Sequence, residues 1–141
     1  MKKMTKKISA VLCSLTVMLS SATALMANAG NTSDTQWYSG HDYCRRKYDD
    51  TSVYVKNSSD YYYSYASVYG ETTANGNQKK DVSRYGGTKL ATENLTIPAR
   101  SERQIRQFVY ELGYPYVHIY FTGSGYGVWS PDSVGSYTLA N

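Results

Sequence analysis

Two stretches of the chain alternate apolar and polar residues, and each predicts a strand. Over residues 51–57, Val53 and Val55 alternate with Ser52, Tyr54 and Lys56; over 114–122, Val117, Ile119 and Phe121 alternate with Tyr116, His118 and Tyr120. Successive side chains of a strand point to opposite faces, so this period sorts valine, isoleucine and phenylalanine to one side and tyrosine to the other. The turn at Ser58-Ser59-Asp60 predicts a hairpin into a strand over 61–70. There Tyr62, Ala66 and Val68 share one face, and Tyr61, Tyr63, Tyr65 and Tyr69 the other. Shorter β-rich runs over 37–48, 82–85, 88–97 and around Val128 and Trp129 predict further strands, the last reached through the glycine turn Gly123-Ser-Gly125.

One stretch departs from this period. Ile105, Phe108, Val109 and Leu112 fall at i, i+3, i+4 and i+7, an apolar stripe that predicts a short helix over 102–112. Ser101 and Gln104 have the spacing of a capping box, and Gly113 and Pro115 supply a stop. Arg100, Arg103 and Arg106 would crowd its N-terminus, where a small anion-binding patch is one reading and a solvated face the other. Many short strands with one small helix predict an all-β fold, an antiparallel β-sandwich of immunoglobulin-like kind with a single crossover helix.

The N-terminus reads differently. Lys2, Lys3, Lys6 and Lys7 precede an apolar run over 8–19 and small residues ending in Ala27-Asn28-Ala29, the pattern of an export signal removed between Ala29 and Gly30. Ala22-Thr23-Ala24 offers a second cleavage point after Ala24. Twelve residues span roughly 18 Å as a helix, short of a bilayer core of roughly 30 Å. The expected product is therefore secreted, extracellular or wall-associated, with no stable membrane insertion. It comprises a flexible leader over 30–36 and one domain over 37–141.

Removing residues 1–29 changes the charge picture. Those four lysines account for the whole formal charge of +4, which leaves 11 basic against 11 acidic residues. Nucleic-acid binding needs a basic surface, so no nucleic-acid partner is expected. Valine, isoleucine, leucine and phenylalanine supply only 17 of the remaining 112 residues, but all 16 tyrosines and both tryptophans are there. Tyrosine must therefore supply both packing and surface.

Three consecutive tyrosines at 61–63 cannot all be buried in a one-sided sheet. Tyr61, Tyr63, Tyr65, Tyr116 and Tyr120 are accordingly candidate binding residues, against the alternative that they pair across strands as good β-formers. Trp129, at a strand end before Pro131-Asp132, is a further candidate, although a Trp pinning the last strand to the core fits better. Cys44 is the only cysteine after residue 29, so no intramolecular disulfide is available. With His41 three residues away it could form a thiolate–imidazole pair, but a catalytic cysteine and histidine are usually distant in sequence, and a buried structural thiol is favoured. His41 and His118 show no metal-ligand spacing, and neither a metal nor another cofactor is expected.

Ser52-Val-Tyr-Val-Lys56, Val109-Tyr-Glu-Leu-Gly-Tyr114 and the closing Gly127-Val-Trp-Ser-Pro-Asp-Ser133 resemble a family of small secreted Firmicutes proteins known as domain of unknown function 2712. The likeness covers residues 37–134 and implies a Gram-positive exported protein. It carries over no catalytic or binding residue. The aromatic, glycine-rich, disulfide-free composition is also similar to that of small exported bacteriocins, which transfers no function.

The expected function is surface contact without catalysis, to cell-wall glycan or another secreted protein. A bacteriocin-like or toxin-like effector is the first alternative, and a Cys44-dependent hydrolase the second.

Overall fold

The computed structural model describes residues 31–141. The expected cleavage points at Ala24 and at Ala29–Gly30 lie outside the described residues. Ten strands follow in order: β1 Thr35–Tyr38, β2 Asp42–Arg46, β3 Val53–Asn57, β4 Ser64–Glu71, β5 Arg84–Tyr85, β6 Thr88–Lys89, β7 Leu95–Ile97, β8 Ser101–Ile105, β9 Tyr116–Gly123 and β10 Tyr126–Ser130. One four-stranded sheet has the order β1-β10-β3-β8 and the other β2-β9-β4-β7, with β5 and β6 forming a separate two-stranded hairpin. All strand pairs are antiparallel. The architecture is a β-sandwich.

The core follows from the alternation. Val53 and Val55 face Ala66, Val68, Val117, Ile119 and Phe121 across the interface, joined by Ile97, Ile105, Trp37 and Trp129, all essentially without solvent contact. Trp37 stacks on Phe121 with ring centroids 4.1 Å apart, and Tyr43 meets Phe121 edge-on at 5.9 Å. Gly127 lies opposite Trp37 in the β1–β10 register. A methyl group on it would sit 1.8 Å from the Lys56 carbonyl and 3.1 Å from the Trp37 indole nitrogen, so only glycine lets the two strands and the ring meet there.

Four expectations are corrected. No helix occupies 102–112. Its first half is β8, whose Ile105 lies opposite Val53, and its second half is a turn in which the Leu112 N–H reaches the Phe108 carbonyl at 3.0 Å. Ser101 caps nothing helical; its hydroxyl donates to the Pro98 carbonyl at 2.6 Å, in a tight turn completed by Arg100 at φ 51°. The arginine patch at a helix N-terminus disappears with the helix, and Arg100 pairs with Asp60 instead. A four-residue apolar stripe was too short to outweigh sheet pairing, since propensity is a weak prior against tertiary context.

The second correction concerns residues 53–70. β3 and β4 belong to different sheets, so the connection over 58–63 is an arch between the layers rather than a hairpin, and β4 begins only at Ser64. Alternation marks a buried face but does not say which sheet the strand joins. Third, β1 starts at Thr35, inside the leader expected over 30–36. Thr35 and Gln36 pair with Trp129 and Val128, and the Asn31 N–H reaches Asp132 Oδ2 at 2.5 Å. Fourth, the run over 37–48 is two strands, one in each sheet, joined by a turn at Gly40.

Candidate functional site

The arch over 58–63 lies at the end of the sandwich where β3 stops and β4 and β10 begin. Its backbone is held from inside. Asn57 is fully buried; its amide nitrogen donates to the carbonyls of Tyr62 at 2.9 Å and Ile97 at 3.0 Å, while its oxygen accepts from the Ser59 N–H and hydroxyl at 3.0 and 2.8 Å. The Ser59 hydroxyl also reaches the Tyr62 carbonyl at 2.8 Å. Outside, Arg100 closes the arch through its pair with Asp60 at 2.8 Å and through its N–H to the Ser59 carbonyl at 3.1 Å. A polar residue at a strand end thus satisfies four bonds and fixes the loop.

From this fixed loop the tyrosines project. Tyr61 is 81% exposed, Tyr62 58%, Tyr63 57% and Tyr65 42%. Tyr38 and Tyr126, opposite one another in the β1–β10 register at the same end, are also about half exposed. Of the expected binding residues, Tyr61, Tyr63 and Tyr65 therefore share one solvent-facing pole, and Tyr62, assigned by its alternation to the inner face, joins them because it precedes the strand. Its place in the arch was not legible in a period-two reading.

Tyr116 and Tyr120 lie elsewhere. They point outward from β9, a central strand of the second sheet, and both are half-buried. The Lys79 ammonium sits 5.1 Å from the Tyr120 ring centroid and 5.6 Å from that of Tyr69. The expected tyrosine face is thus divided: one part is an open pole, and in the other Lys79 lies over Tyr69 and Tyr120. Trp129 is fully buried, packed beside Tyr43 at 6.3 Å and under the Arg45 guanidinium at 5.5 Å, so its ligand-facing reading is overturned and its structural one holds.

The Trp-Ser-Pro-Asp-Ser sequence has a structural task. Asp132 is buried and pairs with the buried Lys47 ammonium, which also donates to the carbonyls of Thr51 at 2.6 Å and Pro131 at 2.8 Å. Asp132 Oδ2 receives the Asn31 and Tyr48 N–H groups, so one carboxylate ties together the N-terminal segment, the β2–β3 connection and the end of β10. Burial pulls Lys47 below its ordinary value and Asp132 opposes that shift.

Cys44 is a free thiol. His41 is exposed on the β1–β2 turn. His118 is the actual neighbour of Cys44, its cross-strand partner in the β2–β9 register. Asp42, two positions earlier on the same face of β2, meets His118 Nε2 at 2.5 Å. Sequence spacing hid this row because 74 residues separate the thiol from the imidazole; the outward, polar positions of two strands were the available signal. Burial, then the Glu71 carboxylate, push the Cys44 thiol up to about 11, opposite to the shift of an activated nucleophile. Among the described residues no group of three or more His, Cys, Asp or Glu side chains is placed to hold a metal ion. No described helix is long and apolar enough to cross a membrane.

Fold and surface together define a β-sandwich, with no disulfide among the described residues, that carries a preorganised aromatic loop at one pole. The chain belongs to the family described as protein of unknown function (DUF2712), whose model matches residues 22–133. No curated protein and no solved structure matches it.

Proposed function

We propose that this is an exported protein that works by contact rather than catalysis, and that the pole formed by Tyr61, Tyr62, Tyr63 and Tyr65 binds cell-wall glycan. The observation that supports this reading is the pairing of exposed rings with a locked backbone: Tyr61 is 81% exposed while Asn57 and Ser59 beneath it are buried and fully bonded. A phenol offers an apolar face and a hydroxyl with only two side-chain torsions to fix, and a rigid loop spares the ordering cost of binding. Ring faces suit the apolar faces of sugar rings, and the hydroxyls suit sugar hydroxyls. The only fixed charges on the arch, Asp60 and Arg100, neutralise each other, which favours an uncharged saccharide surface over a charged one.

The test is retention on purified cell wall. The wild-type chain should sediment with wall fragments, and changing Tyr61, Tyr63 and Tyr65 together to Ser should abolish retention. Each single change should weaken it by about tenfold, as for tyrosines at an interface centre. Equal retention of the triple variant, with its fold intact by circular dichroism, overturns the proposal. Loss of retention on protease-treated but not on intact wall would identify a wall protein as the partner instead.

A further inference from the structure

We propose that Cys44 is a thiol-modification site that forms a mixed disulfide with a small disulfide, with His118 Nδ1 as the base that takes the thiol proton and residues 72–79 as the cover that must lift. The outer face of the second sheet builds this site. β2, β9 and β4 place Cys44, His118 and Tyr69 in one cross-strand row. Asp42 and Tyr120 lie on one side of the row, and Arg46, Tyr116 and Glu71 on the other. Lys79, from the covering loop, pairs with Asp42 at 3.0 Å. Those are the titratable groups that face the imidazole and the thiol.

Three observations converge on the pair. The Asp42 carboxylate, which can only accept, is bonded to Nε2, so that nitrogen carries a hydrogen and the other, Nδ1, is the one turned away from the carboxylate. His118 is 2% exposed, yet Nδ1 has no hydrogen-bond partner among the described residues, an unfavourable state for a buried polar atom. Nδ1 and the Cys44 β-carbon lie side by side beneath Gly76, so a turn of the Cys44 side chain away from Thr73 brings the sulfur toward Nδ1. A methyl group built on Gly76 would lie 3.2 Å from Cys44 Cβ and 3.2 Å from His118 Nδ1. A thiol beside an imidazole whose far nitrogen is held by a carboxylate has the logic of an oriented general base.

In the closed form the thiol stays protonated and donates weakly to the Thr73 carbonyl at 3.7 Å. When the loop lifts, water reaches the sulfur and its proton passes to Nδ1. The thiolate attacks one sulfur of a disulfide RS–SR; the Cys44 S–S bond forms, the RS–SR bond breaks, and the leaving RS⁻ takes the proton from the imidazolium. One disulfide is consumed and one is formed, so no other oxidant is required. The substituent then fills the space of residues 73–76, which holds the loop away and uncovers Tyr69 and Tyr120.

The experiment incubates the full folded chain with glutathione disulfide and follows intact mass against time and pH. The expected product is one glutathione adduct that peptide mapping places on Cys44, scored separately from any on Cys13. Gly76→Ala should speed its formation about tenfold, because Gly76 has φ +68°, a conformation that costs any residue with a Cβ and so favours lifting. His118→Asn should slow the reaction at neutral pH and leave a pH–rate profile that rises only in the range of a free thiol, about 8.5. Asp42→Asn, which leaves the imidazole in place, should give an intermediate profile even if His118→Asn folds poorly. The proposal is overturned if wild type, Gly76→Ala and Asp42→Asn react at one rate with one pH profile. It is equally overturned if only urea-unfolded chain forms the adduct.

Discussion

Single side chains carry more of this protein than its composition suggests, and Asn57 is the clearest case. It is a polar residue in a position that alternation assigns to the core, and its four bonds explain why it is there: both ends of the amide are satisfied by the loop it holds. Asn57→Ala removes these bonds without touching a tyrosine. It should cost about 2–4 kcal/mol in guanidinium unfolding, since each buried partner left unpaired costs roughly 1–3 kcal/mol. It should also weaken retention on cell wall, because the rings lose their fixed frame. A variant that is destabilised yet binds as well as wild type would show that loop order is irrelevant to contact. The buried status of Asn57, like that of Asp132 and Lys47, was not legible in the sequence, because a polar residue is read as surface unless its partners are known. Asp132 and Lys47 stand 85 residues apart and meet only in the fold.

Among the elements, the alternating strands were the most legible part. Val53, Val55, Ala66, Val68, Val117, Ile119 and Phe121 all face inward as the period-two pattern requires, because one-sided burial fixes which face a strand presents. The segment over 102–112 misled because β8 is an edge strand with mixed polarity, whose pairing is decided by its neighbours rather than its own residues. Those neighbours include the last residues of the chain. The Gln104 N–H donates to the Thr138 carbonyl, the Ala140 N–H donates to the Gln104 carbonyl at 3.0 Å, and the Thr96 N–H donates to the Asn141 carbonyl at 2.7 Å, so residues 138–141 cover the open sides of β7 and β8. Deleting 138–141 should lower stability by about 2–4 kcal/mol, at roughly 1 kcal/mol per bond plus the Leu139 and Ala140 contacts. It should also raise hydrogen exchange selectively at Thr96 and Gln104. Uniform exchange across all strands would mean that the tail does not protect this edge.

At the scale of the molecule, the chain changes sheet at almost every step: β1, β3, β8 and β10 lie in one layer and β2, β4, β7 and β9 in the other, and only the passage from β4 to β7 stays within a layer. Each strand is therefore pinned by partners far away in sequence, and the two layers cannot separate without undoing several pairings. Acid should reveal this interdependence. Burial acts to raise the Asp42 carboxyl, but its bonds to His118 and Lys79 outweigh that and hold it below its ordinary 3.8; the Ser83 hydroxyl and N–H hold Asp81 below the same value. A carboxyl depressed in the folded state stabilises it above the unfolded value, and that contribution is lost as pH falls through the folded value. The denaturant midpoint should hold steady from about pH 7 to 5 and decline below about 4, as one transition by both tryptophan emission and circular dichroism. Asp42→Asn should flatten part of that decline, and an unchanged acid limb in this variant would remove Asp42 as a contributor. The antiparallel weave also separates two ends. Asn31 is fastened where β10 finishes and β3 starts, and the Tyr61–Tyr63 arch stands where β3 finishes and β10 starts. Anything gripping the polypeptide ahead of Asn31, whether an affinity tag, a bead or a display scaffold, holds it by the handle and leaves the bristles pointing away.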